Sequence, residues 1–216
     1  MNAGERVRFV CGSLWLEGRL GVADGPDAVI LSHPHPLYGG EMNNPVLTTL
    51  AEVYRRLGYN TLRFNFRGIG ASEGAYDDGR GESDDLRAAA AYLAGLGKTV
   101  TDLAGYSFGA WINLRLDPPL STVRRQLLVA PPAAFMEFGM ITEPPPELVI
   151  ITGDQDRIAP PALLREQAPH WHPDARLLIL PEADHFYSGA LERLATLATT
   201  ALSIPVVLHP VVVFQC

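Results

Sequence analysis

Gly105-Tyr106-Ser107-Phe108-Gly109 sets a serine between two glycines, a pattern suited to a nucleophile raised on a sharp turn. The apolar run TVTDLA precedes it and FGAWINLRL follows with helical spacing. Ser107 is therefore expected where a strand gives way to a helix. There the first helical amide, that of Phe108, and the helix dipole can meet a negative oxygen. A serine hydroxyl needs a base to take its proton, and the base needs a carboxylate to orient it. Histidines after Ser107 are His170, His172, His185 and His209. His185 follows the apolar run ARLLILP, whereas His170 and His172 lie between a helix and that run, and His209 lies in a charge-free stretch. His185 is the expected base. Asp154 and Asp156 both follow the run ELVIITG. Asp156 is preferred as the acid because Ile158-Ala159-Pro160 can fix its loop, and Asp154 is the alternative, read as a turn brace. Asp184 is poorly placed to reach its neighbour's ring and reads as a loop brace.

These residues need a scaffold, and the chain supplies an alternation of elements. RVRFVCGSLWLEGRLGVAD alternates around Gly12 and predicts a β-hairpin. AVILSHP, TLRFNF, TVTDLAGYS, QLLVAPP, ELVIITG and ARLLILP read as strands. Helices are expected between them, one opened by Asn44 and Pro45, another capped by Ser83 and stopped by Gly97, and the last over SGALERLATLATTAL. Strand–helix alternation from residue 28 to about 200 argues an α/β fold with a mainly parallel sheet and helices on both faces. Sites in such sheets form at the carboxyl ends of the strands, where Ser107, Asp156 and His185 all fall. Only AAFMEFGMITEPPP separates QLLVAPP from ELVIITG, too little for a lid domain, so the site should be open.

Composition sets outer bounds. The chain has 216 residues, 47% of them apolar, and a net charge of −7. That supports one large core over residues 1–200 and argues against a nucleic-acid binder. Cys11 and Cys216 give no disulfide framework and no zinc spacing. The start MNAGERVRFV lacks the apolar stretch of a secretory signal, so a cytoplasmic location is expected. Residues 201–216 form an uncharged tail, in which Pro205, His209 and Pro210 argue against a membrane span. His33 and His35 have no acidic or cysteine partner nearby, and Gly68-x-Gly70 is followed by a long acidic loop rather than a helix. Neither a metal nor a cofactor is expected.

The blocks SHPHPLYGGEMNN, LRFNFRGIGASEG, GYSFGA, VAPP, ITGDQDRIAP and EADHFY together cover most of residues 28–190. With them the chain resembles the α/β-hydrolase superfamily, and more narrowly its small, lid-poor bacterial branch. The resemblance implies Ser107 as nucleophile, Asp156 as acid, His185 as base, and an oxyanion donor in the loop that begins His33-Pro34-His35. Pro34 stands where the family more often has glycine, and neither Pro34 nor Pro36 has an N–H to give. Backbone donors remain from His35, Leu37 or beyond, and His35 with Phe108 is the favoured pair. His33 would brace the loop.

Phe135, Met136, Phe138 and Met140 either wall an acyl or alcohol pocket or pack onto the sheet edge. Leu37, Tyr38 and Phe186 would complete the rim. Arg67 either binds a substrate carboxylate or ties loops together through Glu73, Asp77 or Asp78. The expected activity is hydrolysis of small or medium esters through an acyl-enzyme. Peptidase, thioesterase or dienelactone-hydrolase-like activity would use the same three residues, and a non-catalytic small-molecule binder is the rival class.

Overall fold

A computed structural model describes residues 4–203. Eight strands form one sheet: β1 (Glu5–Cys11), β2 (Leu14–Gly21), β3 (Asp27–Ser32), β4 (Asn60–Phe64), β5 (Thr99–Tyr106), β6 (Arg125–Val129), β7 (Glu147–Gly153) and β8 (Arg176–Leu180). Their spatial order is β1-β2-β4-β3-β5-β6-β7-β8. β1 and β2 form the expected hairpin, β2 meets β4 antiparallel, and every later pairing is parallel. Five helices accompany the sheet: α1 (Pro45–Arg56), α2 (Arg80–Gly95), α3 (Phe108–Leu114), α4 (Pro161–Trp171) and α5 (Leu191–Ser203). Helices α1 and α5 pack together on one face, and α2 and α3 on the other. The interior parallel strands β3, β6 and β7 are buried on both sides, as their unbroken apolar runs require: Val29 to Leu31, Leu127 to Val129 and Leu148 to Ile151 are all core. No helix interrupts residues 130–146, so the sheet carries no lid.

Helix α3 starts at Phe108 as expected; of the three starts read from capping and periodicity, one follows the signals and two depart from them. Asn44 caps α1 by accepting from the Val46 N–H at 2.9 Å, with Pro45 in the first turn. Helix α2 begins before Ser83. The Glu82 carboxylate accepts from both the Asp77 and Gly79 N–H groups, at 3.0 and 2.8 Å, and the Ser83 hydroxyl donates to the Gly79 carbonyl. A charged acceptor for two orphan amides outcompetes a serine cap. Helix α5 starts at Leu191 rather than Ser188, because Asp184 holds residues 184–188 as a turn through the Phe186 and Ser188 amides.

Helix α5 continues past residue 200, the expected end of the core unit, and its Ala201 and Leu202 pack into the core. The remainder of the uncharged tail, 204–216, lies outside the described residues. Among the described residues no helix is long and apolar enough to cross a membrane.

Candidate active site

Ser107 caps α3 with φ +53° and ψ −117°, a conformation that costs a non-glycine residue strain. The flanking glycines explain how the chain tolerates it. A Cβ at Gly105 would lie 2.5 Å from the backbone of Gly109 and Ala110, and one at Gly109 would lie 2.1 Å from the Ser32 carbonyl oxygen. Only glycine lets strand, turn and helix approach this closely. The Ser107 N–H donates to the Val129 carbonyl at 2.9 Å, locking the turn to β6. Asn113, one turn into α3, reinforces it. With its amide nitrogen toward Ser32 Oγ (2.7 Å) it also donates to the Gly109 carbonyl, and its oxygen accepts from the Gly105 N–H.

Ser107, His185 and Asp156 form one hydrogen-bonded chain. His185 Nε2 lies 3.1 Å from Ser107 Oγ, and His185 Nδ1 lies 2.8 Å from Asp156 Oδ2. A carboxylate can only accept, so Nδ1 carries the proton and the Nε2 lone pair faces the serine hydroxyl. All three are buried, Asp156 to 3% exposure. The second Asp156 oxygen accepts from the Ile158 and Ala159 amides at 2.8 and 2.7 Å, so the loop after the acid holds it in place. Tyr106 donates its hydroxyl to the His185 carbonyl at 2.9 Å and steadies the base from β5. Such an array lets an imidazole take a serine proton while a fixed carboxylate holds the ring.

The remaining candidates sort by position. Asp154 accepts from the Ala183 N–H at 3.3 Å and braces the turn beside β8. His170 and His172 end α4 before β8, at the opposite sheet edge, and His209 lies outside the described residues. The Leu37 N–H donates to His35 Nδ1 at 3.2 Å, which occupies it locally. No acceptor among the described residues takes up the His35 or Phe108 N–H. The His35 ring packs against Tyr38, Tyr76 and Phe108, and its Nε2–H donates to the Tyr76 hydroxyl at 3.3 Å. Leu37, Tyr38, Phe135 and Phe186 are exposed, Tyr38 to 87%. Met136 is half-buried against the core. Phe138 does not stand at the rim: it is 4% exposed and stacks on Trp171 at 4.2 Å, so packing, the alternative for that loop, claims it. Arg67 pairs with none of Glu73, Asp77 and Asp78. It grips Asp85 of α2, which is fully buried, through Nε and Nη2 at 2.8–3.1 Å. This ties the loop after β4 to α2.

His33 braces the loop with both ring nitrogens. The Phe66 N–H donates to Nε2 at 3.0 Å, and Nδ1–H donates to the Pro34 carbonyl at 2.6 Å. Neither nitrogen is left for a metal. Burial pushes the imidazole down from 6.5 to about 4. The unfolded chain therefore takes up this proton first as pH falls. The contribution of neutral His33 is full above pH 6.5 and is lost as pH drops toward 4. Across that window the loss should approach roughly 3 kcal/mol. Urea unfolding of wild type and His33→Gln at pH 7 and near pH 4 checks this. The variant should lose less stability on acidification, and parallel losses would contradict it.

The alpha/beta hydrolase family model matches residues 29–213. An uncharacterized protein of Rickettsia prowazekii (strain Madrid E) is 34% identical over 80% of this chain and 77% of its own. A solved alpha-beta serine hydrolase homologue from Coxiella burnetii is 33% identical, with TM-score 0.81, over 92% of this chain and 97% of that one. A lid-less serine hydrolase structure from Xanthomonas campestris is 29% identical, with TM-score 0.84, over 96% and 98%.

Proposed function

Because the chain belongs to the alpha/beta hydrolase family, we propose that it is a serine hydrolase that cleaves small or medium esters through an acyl-enzyme on Ser107. The observation that carries this reading is the Ser107–His185–Asp156 hydrogen-bond chain at 3.1 and 2.8 Å. In the proposed mechanism His185 Nε2 takes the Ser107 proton as Oγ attacks the acyl carbon. The imidazolium is held by Asp156, and the tetrahedral oxyanion accepts from the Phe108 and His35 amides. His185 then protonates the leaving alcohol, whose departure forms the acyl-enzyme. Water, deprotonated by the same imidazole, adds to the acyl carbon, and collapse of the second intermediate returns the serine and frees the acid.

The lid-less edge and the exposed Leu37, Tyr38, Phe135 and Phe186 favour compact acyl groups over chains that need a deep tunnel. A panel of p-nitrophenyl esters from acetate to palmitate, with matched thioesters and anilides, tests this. Turnover should peak at short to medium acyl esters. A peak at palmitate would overturn the chain-length reading, a preference for thioesters or anilides the ester assignment, and no turnover of any substrate the hydrolase reading itself.

A further inference from the structure

The hairpin departs from ordinary strand pairing on one of its faces. Phe9, Cys11, Leu16 and Leu20 point into the core toward α2, where Phe9 stacks on Tyr92. The opposite face, toward the N-terminal end of α1, carries a row of arginines. Arg6 sits directly across from Arg19, and Arg19 directly across from Arg63. Side chains opposite one another on adjacent strands start only about 5 Å apart, and like charges there oppose folding. Burial first, and then Arg19, lower the pKa of Arg63, while Glu41 raises it.

The usual remedy for such a row is a carboxylate on each guanidinium. The acids beside Arg6 and Arg19 have other partners. Glu17 accepts from Asn65 Nδ2 and the Ala71 N–H, both at 2.7 Å. Glu73 lies 3.9 Å from Arg8, and Glu41 accepts from Asn43 Nδ2. Arg63 holds the Met42 carbonyl at 2.9 Å. Among the described residues neither Arg6 nor Arg19 has a carboxylate within ion-pair distance. Both line an open groove of about 730 Å³, whose lining also includes Glu41–Asn43 and Ile69–Ala71.

We infer that this groove is a binding site for a small dianion of the phosphate class, clamped between Arg6 and Arg19. A guanidinium pair presents planar forks of donors that match tetrahedral oxyanions, and a doubly charged ligand relieves the cross-strand repulsion. The surrounding Glu17, Glu41 and Glu73, on a chain of net charge −7, disfavour an extended polyanion or an anionic membrane. Glu17 and Glu41 share the groove's lining with Arg6, Arg8 and Arg19, so a compact anion seated between the guanidiniums meets more cationic than anionic groups.

Inorganic phosphate is the probe, with thermal unfolding and calorimetric titration as readouts against sodium chloride at equal ionic strength. Phosphate should raise the melting temperature where chloride does not. Arg6→Gln and Arg19→Gln should each bind phosphate at least about tenfold more weakly, while Arg165→Gln, exposed on α4, should bind as wild type. In phosphate-free, low-salt buffer Arg19→Gln should melt no lower than wild type, a sign that a purely structural arginine would not give. Equal effects of phosphate and chloride would overturn the site, as would equal weakening in Arg165→Gln. Binding to heparin or phosphatidylserine vesicles without binding to phosphate would overturn the small-anion class.

Discussion

Ser107→Ala is expected to lower kcat/KM on an activated ester by about 10⁴- to 10⁶-fold. The substitution removes one oxygen and little else. Alanine keeps a Cβ, so the φ of +53° and its strain are retained, and Gly105 and Gly109 still allow the close passage of strand and helix. Among the described residues, the side-chain bond lost is that to His185 Nε2. The variant should therefore fold like wild type, with a melting temperature within a few degrees. Initial rates on p-nitrophenyl butyrate, with thermal unfolding as the control, measure both. A folded variant retaining a tenth of wild-type activity would contradict a covalent role for this serine.

Asp156→Asn is expected to cost on the order of 10⁴-fold in kcat, whereas Asp154→Asn should cost less than about threefold. The difference follows from donor counting. The second oxygen of Asp156 accepts two amides, from Ile158 and Ala159, so an asparagine keeps its carbonyl there and turns its NH₂ toward His185. The ring must then protonate at Nε2, which no longer accepts the serine proton. Asp154 accepts one amide, from Ala183, at 3.3 Å, and an asparagine carbonyl serves equally. Parallel kinetics of the two variants decide between the acids. Equal losses, or a larger loss at 154, would contradict the assignment to Asp156.

Much of this geometry was legible in the residues because the parallel strands were. Unbroken apolar runs located the strands, and the parallel topology put the loops carrying Ser107, Asp156 and His185 at one sheet edge. What stayed hidden depends on contacts between positions far apart in sequence or on the details of a cap. Arg67 has acids close by in its own loop, yet its partner is Asp85, one helix away. Ser83 looks like a cap until Glu82 reaches back to two amides. Phe138 sits in an apolar loop, and only its stacking on Trp171 of α4 separates it from the exposed Phe135 beside it. Tyr106, Tyr76 and Asn113 lie inside or beside recognised motifs, but their hydrogen bonds need the three-dimensional neighbours to be seen. The arginine row needs the register of β1, β2 and β4. No local pattern specifies that register from residue 6 to residue 63.

Labelling of the purified protein with a fluorophosphonate, read by intact mass and peptide mapping, reports on the Ser107 nucleophile without needing a substrate. An activated serine attacks phosphorus at neutral pH, and an ordinary one does not. The expected result is one adduct per chain, on the peptide containing Ser107, absent from Ser107→Ala and strongly slowed in Asp156→Asn. No adduct at neutral or mildly alkaline pH, or an adduct that persists in Ser107→Ala, would contradict an active nucleophile at this position.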